Sequence, residues 1–435
     1  MNVVEMFSGI GSQAKALERV SNRKNEKITI SKTCEWNIHA FVAYNFIHNG
    51  TAISSDVESL SKKELIDILS KYTLSSNGIV PINQKYLSSL STKLLKAILQ
   101  SIYNNNNLIN IKEVKGEDIP DDTDLLTYSF PCQDLSNVGS FHGYKHGIDR
   151  GMNTRSGLLW EVERVLEEKI INQKPLPKFL LLENVTALEA SRHKGNFNVW
   201  KEKLESYGYV NQVYKLNSLD FGIPQNRSRL IMLSVYVGFD ENMKQNILNY
   251  WIDKNLNSRE YISNLDIHKM PLDWYLKTDY NNQTYLNEAL ESQPNNTVSR
   301  LKIWNENYKI INEKGNYLDK VQTITTKQDR HPNSGNIYFD PNNGKSKFRF
   351  LTPRECFLLM GFDELDYEVL VNNDFATRGK SRFFSRDILY KLAGNSIVVN
   401  VLEFVFDQIF DIRDLMNGHF LVDDIRKQHV DKISV

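Results

Sequence analysis

Apolar positions along the first half of the chain fall into an alternating pattern. NVVEMF is a short apolar run, and ITISKTCE reads as a second strand. DLLTYSF, KFLLLEN and RLIMLSVYV are continuous apolar runs, the form taken by strands covered on both faces. Helical patterns fall between them: QAKALERV, IHAFVAYNFIHN, SGLLWEVERVLEEKI and NVWKEKLESYG. Strands alternating with helices predict a doubly wound α/β sheet.

Two regions break the alternation. Residues 57–109 carry helix-like segments (LSKKELIDILSKY, STKLLKAILQSIY) and an NNNN tract, and read as an insertion between strands. Beyond Gly238 the buried-strand runs stop, and Asn, Tyr and Lys become frequent. The expected division is residues 1–237 as the sheet domain, 238–385 as a smaller irregular domain, and 386–435 as a segment whose helix, IVVNVLEFVFDQIF, returns to the sheet. A chain of 435 residues is long enough for two domains.

Bulk charge adds little, because 53 basic and 53 acidic residues cancel; only local clustering can argue for a nucleic-acid partner. The three cysteines, Cys34, Cys132 and Cys356, have neither disulfide nor zinc spacing, so no metal is expected. Strand-like residues begin at Val3, leaving no room for a signal peptide. No apolar run approaches the roughly 18 residues of a membrane span. These features lead us to expect a cytoplasmic protein without membrane contact.

Chemistry enters at the strand ends. FSGIGSQA follows a strand and opens a helix, and Gly9, Gly11 and Ala14 fit the G-x-G-x-x-G/A spacing of a dinucleotide fingerprint. Glu35 closes the second strand within reach of a ribose, and Trp36 can stack on an adenine. A nicotinamide cofactor and S-adenosylmethionine both satisfy this pattern. Cys132 follows a central strand at the edge where open α/β sheets bind ligands, with Pro131 fixing the turn. LLLENV brings Glu183 to the same edge, and FGIPQNRSRL places Gln225, Arg227 and Arg229 before the next strand. A thiol, an acid and a guanidinium are thereby gathered around one cleft.

In order, FSGIG, CEW, SFPCQDLS, LLENV, PQNRSRL, LTPRECFLLMGF and AGNSIV resemble the motifs of bacterial DNA (cytosine-5) methyltransferases. The resemblance covers nearly the whole chain except residues 57–109 and much of 238–320. It implies a Rossmann-like methyltransferase sheet, S-adenosylmethionine as methyl donor, double-stranded DNA as partner, and base flipping of the target cytosine. By the same resemblance Cys132 is the nucleophile, Glu183 meets ring nitrogen 3, and Arg229 binds the carbonyl at position 2. Arg227 holds a phosphate or orients the cysteine loop, and Gln133 and Ser136 contact the displaced nucleotide's backbone. Phe7, Gly9, Gly11, Glu35, Trp36, Asn395 and Ser396 are assigned to the methyl donor. The family's usual adenine-binding aspartate is matched by Asn110, with Asp56 as the alternative. Such enzymes act beside a cognate restriction endonuclease or alone, and a monomer suffices for one base at a time.

Between Arg300 and Arg354 there are 11 basic and 5 acidic side chains. Within this stretch VQTITTKQDRHPNSGN resembles the family's recognition segment, with Thr323–Ile324 as its Thr-hydrophobic pair. Thr323, Lys327, Gln328, Arg330 and Asn333 are expected to face DNA; Arg suits guanine, and Gln or Asn suits adenine. Rival readings are a tRNA cytosine methyltransferase, a methyltransferase-shaped DNA-binding regulator, and a nicotinamide oxidoreductase.

Overall fold

A computed structural model describes residues 1–131, 148, 156–377 and 381–418. Cys132, Gln133 and Ser136 lie outside the described residues.

Six strands form one sheet in the order β2-β1-β3-β4-β7-β5. They are β1 (Asn2–Met6), β2 (Thr29–Cys34), β3 (Leu125–Tyr128), β4 (Phe179–Val185), β5 (Tyr209–Asn217) and β7 (Ser228–Tyr236). The first four run parallel, and β3 is central, between β1 and β4. Adjacent residues of these strands belong to different cores. Leu125, Phe179, Leu181, Ile231 and Leu233 pack on one side; Leu126, Tyr128, Leu180, Leu182 and Met232 pack on the other. Burial on both faces is the physical reason the strands read as unbroken apolar runs.

One face is covered by α1 (Ser12–Lys24), α2 (Ile38–His48) and the long helix near the end of the chain; α5 (Leu159–Ile171) and α6 (Ser191–Ser206) cover the other. The inserted segment supplies α3 (Lys62–Leu69) and α4 (Thr92–Asn104); α4 packs beside α2, and α3 packs on α4. Ser61 and Glu64 form a reciprocal capping box that fixes the start of α3.

β7 runs antiparallel to both β4 and β5. Its amino end therefore lies at the sheet edge where β4 ends, with Arg229 opposite Val185 and Ile231 opposite Glu183. β5, YVNQVYKLN, is an additional strand that the apolar runs do not announce, since several of its side chains are only partly buried.

A second sheet joins β11 (Phe348–Phe350), β10 (Asn336–Tyr338) and β8 (Lys309–Ile311). Between the two sheets, short strand β6 (Gln225–Asn226) pairs in parallel with β9 (Val321–Gln322). The return to the first sheet, expected from residue 386, begins with α7 (Pro353–Leu359) and α8 (Glu364–Asn372). Lys15 of α1 pairs with Asp363 and Asp366, and Phe46 of α2 meets the Phe375 and Phe384 rings. α9 (Arg386–Asn395) and α10 (Val399–Met416) follow. The stretch 386–416 has the length and composition of a membrane span, yet 61% of its apolar window is buried inside the fold. Arg19 and Arg23 of α1 pair with Glu403 of α10 along the contact between the two helices.

Candidate active site

The carboxyl ends of β1 to β4, the amino end of β7 and the end of α9 surround a cavity of about 740 Å³, within the size range of small-molecule sites. Phe7, Gly9, Glu35, Trp36 and Asn110 line one end, Glu183, Arg227, Arg229 and Pro131 the other, and Asn395 and Ser396 complete the wall. Parallel strands deliver Phe7, Glu35, Pro131 and Glu183 to one edge, and the end of α9 brings Asn395 and Ser396 to them from nearly 400 positions along the chain.

At the first end, Glu35 takes the Gly9 amide at 3.3 Å and the Asn37 amide at 2.8 Å. Burial pushes its carboxyl pKa up, and the Asn37, Gly9 and Trp36 amides pull it back. A Cβ on Gly9 would meet nothing within 4 Å, so this turn borders open space. Gly11 does not line the cavity. Its φ of 84° and the His48 ring only 2.1 Å from a hypothetical Cβ require glycine there for packing. Asn110 lines the cavity and Asp56 does not. The Asn110 amide donates to Glu113 at 3.0 Å, while its oxygen accepts from the Lys112 amide at 3.2 Å. A ribose-length carboxylate, an indole and an amide around an open glycine turn fit an adenosyl group.

At the second end, Arg229 Nε lies 3.2 Å from Glu183 Oε1. The pair is a consequence of register: Glu183 and Val185 share a face, and Arg229 stands opposite Val185 on the neighbouring strand. Glu183 is 8% exposed, and burial pushes its pKa up against the opposing fields of Arg229 and Arg227. A carboxyl held toward its neutral form can supply a proton.

The approach to Cys132 is pinned on both sides. Asn184 Nδ2 donates to the Phe130 carbonyl at 3.0 Å, and Ser156 Oγ donates to the Pro131 carbonyl at 2.7 Å. Gln13 Nε2 reaches Ser129 Oγ at 3.0 Å. Ser156 and Gln13 were not singled out from sequence, since neither carries a recognisable spacing.

Arg227 is 3% exposed. Its guanidinium donates to the Ile324 carbonyl at 2.8 Å, to Gly394 at 3.1 Å and to Ser396 at 2.7 Å. It fastens the recognition segment to the AGNS turn. Gln225 acts beside it: Nε2 donates to the Leu359 carbonyl and Oε1 accepts from the Ile324 amide. Gly394 allows this approach, because a Cβ there would lie 2.4 Å from the Thr325 backbone.

The recognition segment divides. Lys327 and Arg330 are exposed, and Thr323 Oγ1 donates to the Asn226 carbonyl at 2.7 Å. Gln328, expected to face DNA, is 1% exposed. Its side chain donates to the Thr325 carbonyl and accepts from Ser334 Oγ. Asn333 is likewise buried, holding the Gln328 carbonyl and Asn336. Both amides fold the loop rather than face outward. The basic excess also shrinks, because Arg349 and Arg354 are internal, paired with Glu355 and with Glu288, Glu364 and Glu368.

Sheet and cavity define a class, the Rossmann-like methyltransferase fold. The crystal structure of S. pombe Dnmt2 methyltransferase shares it, with a TM-score of 0.53 at 18% identity over 94% of this chain and 98% of that one. Residues 74–411 match the C-5 cytosine-specific DNA methylase family, and the chain belongs to that family. It is 36% identical over 412 residues to the orphan methyltransferase M.SssI of Spiroplasma monobiae, covering 94% of this chain and 97% of the relative. It is 32% identical over 424 residues to the type II methyltransferase M2.ScrFI of Lactococcus lactis subsp. cremoris, covering 94% and 99%. The chain is accordingly a DNA (cytosine-5) methyltransferase.

Proposed function

We propose that the protein methylates carbon 5 of a cytosine extruded from a specific duplex DNA site, with S-adenosylmethionine as donor and Cys132 as covalent nucleophile. The observation that carries this reading is the Glu183–Arg229 pair, held 3.2 Å apart in the same cavity as Glu35 and Trp36.

Carbon 5 of cytosine is a poor nucleophile, and covalent addition divides the difficulty. The Cys132 thiolate gives its electron pair to carbon 6, and ring electrons move toward nitrogen 3. Glu183 holds the proton that nitrogen 3 takes up, and Arg229 donates to the carbonyl oxygen at position 2 as charge develops there. When bound, the methyl donor supplies an electrophilic methyl group that carbon 5 accepts. Nitrogen 3 gives its proton back to Glu183, the carbon 5 hydrogen leaves as a proton to water, its electron pair restores the 5–6 double bond, and Cys132 takes back its own pair. Glu35, Trp36 and the Gly9 turn hold the donor's adenosine, with Asn395 and Ser396 near its methionine end. Residues 238–350 serve target recognition through Lys327 and Arg330. Extrusion of the base costs a few kcal/mol. We place the enzyme in the cytoplasm as a monomer, either alone or beside a restriction endonuclease.

Duplex DNA carrying 5-fluorocytosine in its recognition site tests this. With S-adenosylmethionine present, wild-type protein is expected to form an adduct that survives a denaturing gel, and Cys132→Ser none. An adduct that persists in Cys132→Ser overturns the covalent mechanism; no wild-type adduct on any modified duplex overturns the whole reading.

A further inference from the structure

The inserted segment does more than pad the space between β2 and β3. Thr73, Asn77, Gly78, Ile79 and Pro81 line the same cavity as Glu35 and Trp36. We propose that residues 73–81 form a strap over the adenosine end of the cavity, with Ile79 as its apolar ligand contact and Thr73 as a positioning residue for Asn110. The proposal rests on S-adenosylmethionine being the ligand.

Three independent ties hold the strap around the adenosine end. The first is backbone: the Ser75 amide donates to the Trp36 carbonyl at 2.8 Å, and the Ile38 amide donates to the Ser75 carbonyl at 2.8 Å. The strap is thereby hydrogen-bonded directly to the turn that presents Glu35 and Trp36. The second is a side-chain chain. Thr73 Oγ1 donates to Glu113 Oε1 at 2.5 Å, and Asn110 Nδ2 donates to the same oxygen at 3.0 Å. One carboxylate thus links the strap to the amide placed for adenine. The third crosses the cavity, where Lys391 Nζ of α9 donates to the Asn77 carbonyl.

The strap is also internally preformed. Asn77 Oδ1 accepts from the Ile79 amide at 2.8 Å and from the Val80 amide at 3.1 Å. Ser75 Oγ donates to the Val80 carbonyl at 2.7 Å and accepts from the Gly78 amide at 3.0 Å. A loop so satisfied loses little conformational freedom when a ligand arrives. Yet Ile79 remains 56% exposed while lining a cavity. An apolar side chain held rigidly at a cavity wall gains most when a flat, weakly polar group such as adenine covers it.

Calorimetric titration of the full chain with S-adenosylhomocysteine, which is bound but not consumed, tests the strap separately from catalysis. Ile79→Ser is expected to weaken binding about five- to tenfold, with thermal midpoint and DNA affinity unchanged because the side chain is already exposed. Thr73→Val, which keeps shape but loses the hydroxyl, is expected to weaken binding a few-fold, to raise KM for the methyl donor and to leave kcat unaltered. Wild-type binding with both variants equal to it overturns the strap while leaving the methyl-donor reading intact. A wild type that binds neither S-adenosylhomocysteine nor S-adenosylmethionine overturns both.

Discussion

Two acid–guanidinium pairs in this molecule use the same chemistry to opposite ends. Arg349 and Glu355 are both fully buried and meet in a two-pronged contact, each prong 2.8 Å. Every remaining demand is met locally: Arg349 also donates to the Phe350 carbonyl and Tyr280, and Glu355 accepts from the Thr352 and Lys277 amides. Burial opposes the charge on Arg349, but Glu355 outweighs it and raises its pKa. Glu183 and Arg229, by contrast, touch through one nitrogen and one oxygen at 3.2 Å beside an open cavity. A saturated pair serves the fold, whereas spare hydrogen-bonding capacity facing a cavity is what the substrate role we propose for Glu183 and Arg229 requires.

Mutation of each pair should separate these roles. Glu183→Gln is expected to lower the methyl-transfer rate about 10²–10⁴-fold with the thermal midpoint almost unmoved. A midpoint drop matching that of a core variant would erase the distinction. Glu355→Ala should do the reverse, costing about 3–5 kcal/mol in chemical denaturation by stranding Arg349. The surviving folded fraction should retain normal turnover per active site.

A third carboxyl, Glu5, sharpens the comparison through pH. It lies on β1 with Tyr44 Oη donating to it at 2.6 Å, and burial raises its pKa from 4.5 to about 7. A folded-state pKa above the unfolded one means that its favourable contribution is complete below about pH 4.5 and disappears as pH rises through about 7. Glu5→Gln should therefore gain stability over wild type across that window, by about 3 kcal/mol in total. Parallel pH–stability curves for the two proteins would refute the assignment. The smallest effects belong to the recognition segment. Arg330→Ala should weaken DNA binding by about 1–3 kcal/mol without destabilising the fold. Gln328→Ala should instead lower stability by about 1–3 kcal/mol, because its partners are buried.

The same contrast explains what could be read from the sequence. β3, β4 and β7 were legible because burial on both faces leaves continuous apolar runs, and Glu183 and Arg229 because they sit where such runs end. The direction of β7 was not, since apolar composition is blind to polarity of the chain. β5 escaped because its side chains are mixed. Arg349, Arg354 and Gln328 misled for one reason: a charged or amide side chain normally signals surface, and only partners far along the chain, such as Glu288 for Arg354, bring it inside. The strap was invisible because Thr73 and Ile79 carry no motif, and the hydrogen bonds that place it, from Ser75 to Trp36 and from Thr73 to Glu113, are tertiary.

Arg227 has a practical consequence for anyone hoping to retarget this enzyme. One planar cation clasps Ile324, 97 positions away, and Ser396, 169 positions away, so a transplanted reading module must bring a carbonyl to the same spot. Grafts whose junctions fall between Val321 and Thr326 would cut through the clasp and untie that segment from the end of α9.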